Sequence, residues 1–273
     1  MSATVTSLRK PGGLVLAGTE GPIRRLTLNS PPANALSIAM METLLASLKE
    51  AAADKDVRVV VIRSDERVFC AGHDLKELTA HRADADGGTA FFKKTFDLCA
   101  ELMTAIVRLP KPVIAEVDGL ATAAGCQLVA SCDLAICTDS SGFCTPGVNI
   151  GLFCSTPMVA LSRNVHRKQA MEMLLTGETI DASTAREFGL VNRIVPREYL
   201  NQVVTKYAQA IAEKSAFVVR TGKEAFYRQA EMDLDAAYVY TAEIMVENMM
   251  AADAEEGIGA FLQKRKAQCT DEQ

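Results

Sequence analysis

Hydrophobic positions in the first quarter of the chain change their period twice. Residues 14–17 and 23–28 read as two short strands around the turn residues Gly18 and Gly21, and Ser30, Pro31 and Pro32 then break the chain. From Ser37 the spacing becomes helical. Met41, Leu44, Leu45 and Leu48 fall at i, i+3, i+4 and i+7, the stripe that one helix face buries, so a helix is predicted to about Ala53. Residues 57–62 are β-branched except at Arg58, and residues 112–117 form a second run of the same kind. Both predict strands covered on both faces, with a loop and a helix near 89–109 between them.

Asp118 and Gly119 end the second run. A small-residue segment from Ala121 is expected to open a helix to about Ser131, and residues 134–137 read as another strand. Strands alternating with helices predict an α/β core. After Pro196 the strand signals stop, and residues 199–214, 218–229, 236–250 and 257–266 all suit helices. The chain therefore divides into a core of residues 1–196 and a helical region of residues 197–273. That region, rich in Met245, Met249 and Met250, is small for a core of its own and is expected to pack on another subunit or back on the first part. Residues 81–88, alternating Ala and Asp before two glycines, read as a mobile loop bordering a site.

Composition narrows the function classes. Of 273 residues, 49% are hydrophobic and 23% charged, enough for an ordinary packed core. A net charge of -5 argues against a general nucleic-acid surface, so any phosphate must be met locally. No apolar run reaches the roughly 18 to 20 residues that cross a bilayer, which argues against a membrane partner. The first residues lack the apolar stretch of a secretory signal and carry only Arg9 and Lys10 as basic groups, so the chain is read as cytoplasmic. Eight cysteines (Cys70, Cys99, Cys126, Cys132, Cys137, Cys144, Cys154 and Cys269) show no paired C-x-x-C units and are expected to be free, mostly buried thiols.

Two segments place small residues where a strand gives way to a loop or helix: 69–78 and 119–128. Small side chains let a ligand approach the backbone, and the first amides of a helix near Ala124 have no internal partner for developing negative charge. A second free NH near Gly72 or His73 would complete an oxyanion hole. From spacing alone, tight helix-to-strand packing explains the same glycines at least as well.

The motifs add a resemblance. A-G-x-D-L at 71–75, K-P-V-I-A-x-V-x-G at 111–119, A-G-C-x-L at 124–128, Ser131-Cys132-Asp133, Thr176-Gly177-Glu178 and Glu256-Gly257-Ile258 together resemble the crotonase superfamily of enoyl-CoA hydratases and isomerases over nearly the whole chain. Segments 72–78, 121–133 and 145–157 resemble one subgroup of it. The resemblance implies a crotonase-like spiral of β-β-α units with a C-terminal helical trimerisation region, and a homotrimer or dimer of trimers. It implies an acyl-CoA thioester as partner, with no metal and no cofactor beyond the coenzyme A moiety of the substrate. It further implies that two backbone amides, here His73 and Ala124, hold the thioester oxygen. Ala71, His73, Asp74, Leu75 and Lys76 would line the site, and the loop from Ala33 to Leu36 would flank the adenine end. Phe261 and Lys264 of a neighbouring subunit would close over it.

Hydratases of this family use two glutamates, whose places align here with Gln127 and Gly147. Neither residue exchanges a proton near neutral pH. A positioned acid or base is worth about 10² to 10⁴ in rate and an oxyanion donor about 10² to 10³, so efficient hydration is not expected while part of the chemistry survives. Decarboxylase-, isomerase- or thioesterase-type chemistry is favoured over a slow enoyl-CoA hydratase of fatty acid metabolism or a catalytically silent acyl-CoA-binding protein. His73 could supply a proton or hold a substrate carboxylate. Cys154 and Ser155 are candidate nucleophiles or proton relays, although Ser155 before Thr156-Pro157 reads more simply as a helix N-cap. Asp74 reads as a cap, Glu116 as either a pocket residue or a paired one, and His81 and His166 as lacking partners at catalytic or metal-ligand spacing.

Overall fold

Parallel pairing of β-branched strands sets the architecture of the computed structural model, which describes residues 12–268. Residues 1–11, on which the cytoplasmic reading rests, and Cys269 lie outside the described residues. In chain order the elements are β1 (Val15–Glu20), β2 (Ile23–Leu28), α1 (Ile38–Ala53), β3 (Val59–Ser64), β4 (Val68–Cys70), α2 (Leu75–Ala80), α3 (Thr89–Val107), β5 (Val113–Val117), β6 (Leu120–Thr122) and α4 (Ala124–Ser131). There follow β7 (Leu134–Thr138), β8 (Gly142–Cys144), α5 (Pro157–Leu161), α6 (Arg167–Thr176), β9 (Ile180–Asp181), α7 (Ala182–Glu187) and β10 (Arg193–Val195). Four helices close the chain: α8 (Leu200–Ala212), α9 (Ala216–Gln229), α10 (Leu234–Met250) and α11 (Ala252–Leu262).

The strands form two sheets. A six-stranded sheet runs β1-β2-β3-β5-β7-β10 and a four-stranded one β4-β6-β8-β9. The pairs β3–β4, β5–β6 and β7–β8 each place one strand in the large sheet and the next in the small one, so every turn of chain extends both. This is the spiral of an α/β crotonase-like fold. The expected helix from Ala121 is corrected: Ala121 is the middle of β6, paired with Phe143, and α4 starts three residues later. Strands of two or three residues are too short to show a two-residue period, which hid the small sheet from sequence reading.

Both faces of the large sheet are covered, as the β-branched runs require. On one face Val60, Ile62, Val113, Ala115 and Val117 pack with α1, α3 and α4, and Met41, Leu44 and Leu48 supply the predicted stripe of α1. On the other, Val59, Val61, Ile114 and Ile136 meet Leu200, Val204 and Ala208 of α8. Glu116 shares that second face. Its carboxylate accepts from Arg25 Nη1 at 3.0 Å, lies 3.4 Å from Arg63 Nε, and is tied through Arg25 to Thr205 of α8. Glu116 is thus a paired structural group. Burial raises its pKa, opposed by Arg63 and Arg25.

A second buried polar cluster joins α9 to the core. Asp133 accepts from Val113 N at 2.6 Å, Lys223 Nζ at 2.6 Å and Tyr227 OH at 2.9 Å, while Lys223 also donates to the carbonyls of Ile106 and Lys111. Helices α8 and α9 therefore pack back on the sheet. In contrast, α10 has no buried residue and exposes Leu234, Tyr238, Val239, Met245, Val246, Met249 and Met250. Residues 81–88, expected to be a mobile loop, form a 3₁₀ turn at His81–Ala83 and a cap in which Asp86 accepts from the amides of Gly88 and Ala90. His81 lies in this surface turn, where its Nδ1 is 2.7 Å from Asp84 Oδ2 and its ring stacks on Phe91. Among the described residues no helix is long and apolar enough to cross a membrane.

Asp133→Ala leaves the Lys223 ammonium buried without its counter-ion and removes an acceptor from Val113 N. It is expected to lower stability by about 3–5 kcal/mol. The check is urea denaturation, with the midpoint falling at an unchanged slope.

Candidate active site

Two glycines allow the backbone segments of the site to touch. Gly72 has φ 81°, and a Cβ there would lie 2.9 Å from Ala123 Cβ, 3.0 Å from the Thr122 carbonyl and 3.1 Å from Ala124 N. At Gly125 a Cβ would meet the Cys70 carbonyl at 2.1 Å, closer than any side chain tolerates. The first turn of α4 is therefore pressed against the end of β4 because neither segment carries a side chain at the contact.

The turn into α4 is unusual. Ala123 has φ 50° and ψ -118° and donates to the Cys144 carbonyl at 2.9 Å, which delivers Ala124 N to the first position of the helix. Neither Ala124 N nor His73 N donates a hydrogen bond among the described residues. A helix N-terminus leaves such donors free and adds the positive end of its dipole.

The second amide segment is held by the loop before α1. Ala71 N donates to the Ala33 carbonyl at 2.9 Å, Leu36 N donates to the Gly72 carbonyl at 2.8 Å, and Leu36 forms a parallel bridge with His73. Leu36 is fully buried, so its contribution is backbone pairing rather than a side-chain contact. Asn34, which sequence reasoning passed over, organises this loop. At φ 48° it donates to Ser64 Oγ and to the carbonyls of Val68 and Phe69, and it accepts from Ser30 N at 2.8 Å. The available signal was an Asn two residues after a Pro-Pro pair, a residue type that tolerates left-handed backbone.

Asp74 is the expected cap, accepting from Lys76 N at 2.9 Å and Glu77 N at 3.3 Å. Glu77 in turn accepts from Ile38 N at 3.0 Å and so binds α2 to the start of α1. Leu75 and Lys76 stand exposed beside this cap. The His73 ring packs edge-on to Phe96, with centroids 5.4 Å apart. Both its nitrogens are shielded and without a hydrogen-bond partner among the described residues. Burial lowers its pKa from the ordinary 6.5, only partly opposed by the nearby Leu36 backbone, so the imidazole is neutral at pH 7.

Gln127, one turn along α4 from Ala124, is 4% exposed. Its Oε1 receives a long S–H contact from Cys99 at 3.8 Å, and its Nε2 has no partner among the described residues. Gly147 lies in a 3₁₀ turn, Pro146–Ile150, whose carbonyl at Gly147 accepts from Leu152 N at 2.9 Å. All seven described cysteines are buried free thiols, and burial pushes Cys70 and Cys99 up to about 12. Ser155 is exposed, with its hydroxyl 3.4 Å from the Phe153 carbonyl. The expected N-cap role is corrected, because α5 begins at Pro157 with Thr156 in the cap position and no side-chain cap bond. Phe261, 82% exposed at the end of α11, and Lys264 just beyond it face solvent in the single chain. No group of three or more metal-ligating side chains comes together among the described residues.

The spiral of paired strands defines a class, and the sequence comparison agrees: residues 18–272 match the enoyl-CoA hydratase/isomerase family, and the chain belongs to it. Within that family it is 50% identical over 254 residues to enoyl-CoA hydratase domain-containing protein 3, mitochondrial, of Xenopus laevis, covering 93% of this chain and 85% of that one. The crystal structure of the human enoyl-CoA hydratase domain-containing protein 3 superposes with a TM-score of 0.89 at 45% identity, covering 94% of this chain and all of that one. An enoyl-CoA hydratase structure from Mycobacterium smegmatis gives 0.90 at 47% identity, over 94% of this chain and 99% of that one. The similarity to domain-containing protein 3 accounts for the subgroup segments 72–78, 121–133 and 145–157. It also overturns the cytoplasmic expectation, because the relatives from frog and human are both named mitochondrial.

Two outcomes follow from this geometry. Gly125→Ala forces a Cβ into the Cys70 carbonyl and is expected to lower stability by about 1–3 kcal/mol or more. Gly222→Ala, in α9 with open space at its Cβ, should raise it by about 0.5–1 kcal/mol. Thermal denaturation of the two variants checks both signs. The unfolded chain takes up the His73 proton near the ordinary 6.5 and the folded chain only at lower pH. Stability due to this residue therefore falls as pH drops below about 6.5 and is constant above it. A His73→Gln variant should show a flatter acid limb in pH-dependent denaturation.

Proposed function

We propose that this protein binds an acyl-CoA thioester, holds its carbonyl oxygen between the amides of His73 and Ala124, and catalyses a reaction that proceeds through the enolate without a carboxylate base. Decarboxylation of a malonyl-type thioester asks least of the residues present. The bond from the α-carbon to the carboxylate breaks, its electron pair flows toward the thioester oxygen, and carbon dioxide leaves. The free amides meet the negative charge where it develops.

The observation that carries this reading is His73: a neutral imidazole beside the amides, both nitrogens shielded from water and without a partner in hydrogen-bonding geometry, the Leu36 backbone offsetting only part of the effect of burial. An unsatisfied buried polar group of this kind is costly unless a ligand completes it. Its N–H suits a substrate carboxylate. Gln127 and Gly147 align with the two glutamates of the family's hydratases, and neither can move a proton, which counts against efficient hydration. The reading asks for no cofactor beyond the coenzyme A moiety of the substrate. The unpartnered apolar row of α10 supports a homotrimer or a dimer of trimers, in which Phe261 and Lys264 of one copy close over the site of the next.

A second reading, a slow enoyl-CoA hydratase, draws on the free Nε2 of Gln127, which could orient a water molecule. Hydration of a short enoyl-CoA by wild type and Gln127→Ala separates the two, because that reading requires the variant to be slower.

For the first reading, carbon dioxide release from malonyl- and methylmalonyl-CoA is expected. His73→Ala keeps the backbone amide and should leave acyl-CoA binding measurable while reducing turnover by about 10²-fold. Tight binding with no turnover on any thioester would make the protein a silent acyl-CoA-binding protein, and absence of binding would overturn the proposal.

A further inference from the structure

We propose that a cleft at the edge of the large sheet where β3 and β5 begin binds a fatty-acid anion. Its carboxylate would sit among Lys55, Arg58, Lys111 and Arg220, and its alkyl chain would lie over Ile211, Val219 and Phe226. None of these residues belongs to the candidate active site. Strands β3 and β5 run from the cleft toward the segments that carry His73 and Ala124, so the proposal does not depend on the acyl-CoA reading.

Local structure builds the basic end. Helix α1 stops at Ala53, and the turn after it is closed by Asp56 N donating to Asp54 Oδ1 at 3.0 Å and Arg58 N donating to the Pro22 carbonyl at 2.8 Å, which leaves Lys55 exposed in the turn. On the facing wall Ser215 caps α9, its hydroxyl accepting from Val218 N at 3.3 Å. Ala216, Val219 and Arg220 then fall at i, i+3 and i+4 and share one face of that helix. With Lys111, just before β5, they line a cleft of about 420 Å³.

Four cations and no carboxylate line this end, in a chain whose net charge is -5. Asp54, the acidic neighbour in the turn, is held by Arg24 at 2.8 Å. Arg58 donates to the Lys214 carbonyl at 2.5 Å and Lys111 to the Ala51 carbonyl at 2.6 Å. Burial lowers the Lys111 pKa; Asp54 opposes this, and the Arg24 and Arg58 charges add to it. Lys55 has no hydrogen bond or ion pair among the described residues, and Arg220 only leans over the Phe217 ring, 5.7 Å from its centroid. Like charges gathered round one space repel until an anion enters it.

The basic end opens onto an apolar one. Pro112, Ile211 and Val219 line both, and beyond them a second cleft of about 470 Å³ is walled by Leu134, Tyr207 and Phe226. Each volume falls in the range of roughly 300–1,000 Å³ typical of small-molecule sites. The charged groups at this end are Lys214, which is exposed, and Lys223, already paired with Asp133 at 2.6 Å. Phe226 is 62% exposed, and an alkyl chain laid along the cleft would take its ring out of water. A carboxylate offers two oxygens to the Arg220 fork and the Lys55 ammonium, and its single charge suits a head site with two uncommitted cations. Cations at one end and an apolar wall at the other select an amphiphile over free phosphate or a neutral lipid.

Calorimetric titration of the full chain with dodecanoate, kept below its micellar concentration, tests the site. Dodecanoate is expected to bind, dodecanol and acetate are not, and excess coenzyme A should leave the binding unchanged. Lys55→Glu with Arg220→Glu reverses two exposed charges and should weaken dodecanoate by about 10-fold or more at an unchanged thermal midpoint. Phe226→Ser should weaken it while keeping the preference for dodecanoate over dodecanol. Tighter binding of dodecyl phosphate than of dodecanoate overturns the carboxylate assignment. Absence of dodecanoate binding, equal binding of dodecanol, displacement by coenzyme A, or full affinity in the charge-reversed variant overturns the site.

Discussion

Everything at the candidate site depends on how closely the first turn of α4 can approach the end of β4. That contact is backbone against backbone: Gly125 over the Cys70 carbonyl, and Gly72 over Thr122 and Ala124. Added side chains would push the segments apart and separate the two free amides. Hydrogen bonds then fix the approach from behind, with the loop of Ala33, Asn34 and Leu36 stitched to Ala71 and Gly72, and Ala123 tied to Cys144. The result is a pair of backbone amides, at His73 and Ala124, held in place by neighbouring hydrogen bonds while making none themselves among the described residues.

Charge is kept away from this contact. The buried ion pairs lie elsewhere, with Glu116 between Arg25 and Arg63 on the α8 face of the sheet and Asp133 with Lys223 at the far end of α4. Asp74 and Glu77 are spent on helix amides. What remains beside the amides is a neutral imidazole, a carboxamide and protonated thiols. Such a set offers no strong base at neutral pH.

Much of the fold was legible because long-range pairing left local marks. The β-branched runs at 57–62 and 112–117 and the helical stripe from Met41 reappear as β3, β5 and α1. The small sheet was not legible, since β4, β6, β8 and β9 are too short to carry a period, and Ala121 was read into a helix for that reason. At the site, the glycines and the cap at Asp74 could be read from residue type. The role of Asn34 could not, because it depends on partners thirty and more residues away.

The side-chain direction at Gly147 also constrains substitution. A substitution to glutamate there brings a side chain onto the Leu152 carbonyl and the Cys154 sulfur, so it arrives as a steric defect before it can act as a base. Regaining a carboxylate at this position requires the 152–154 backbone to move first. The turn thus behaves as a latch that accepts a bare α-carbon at this position and resists any larger residue until its own backbone shifts.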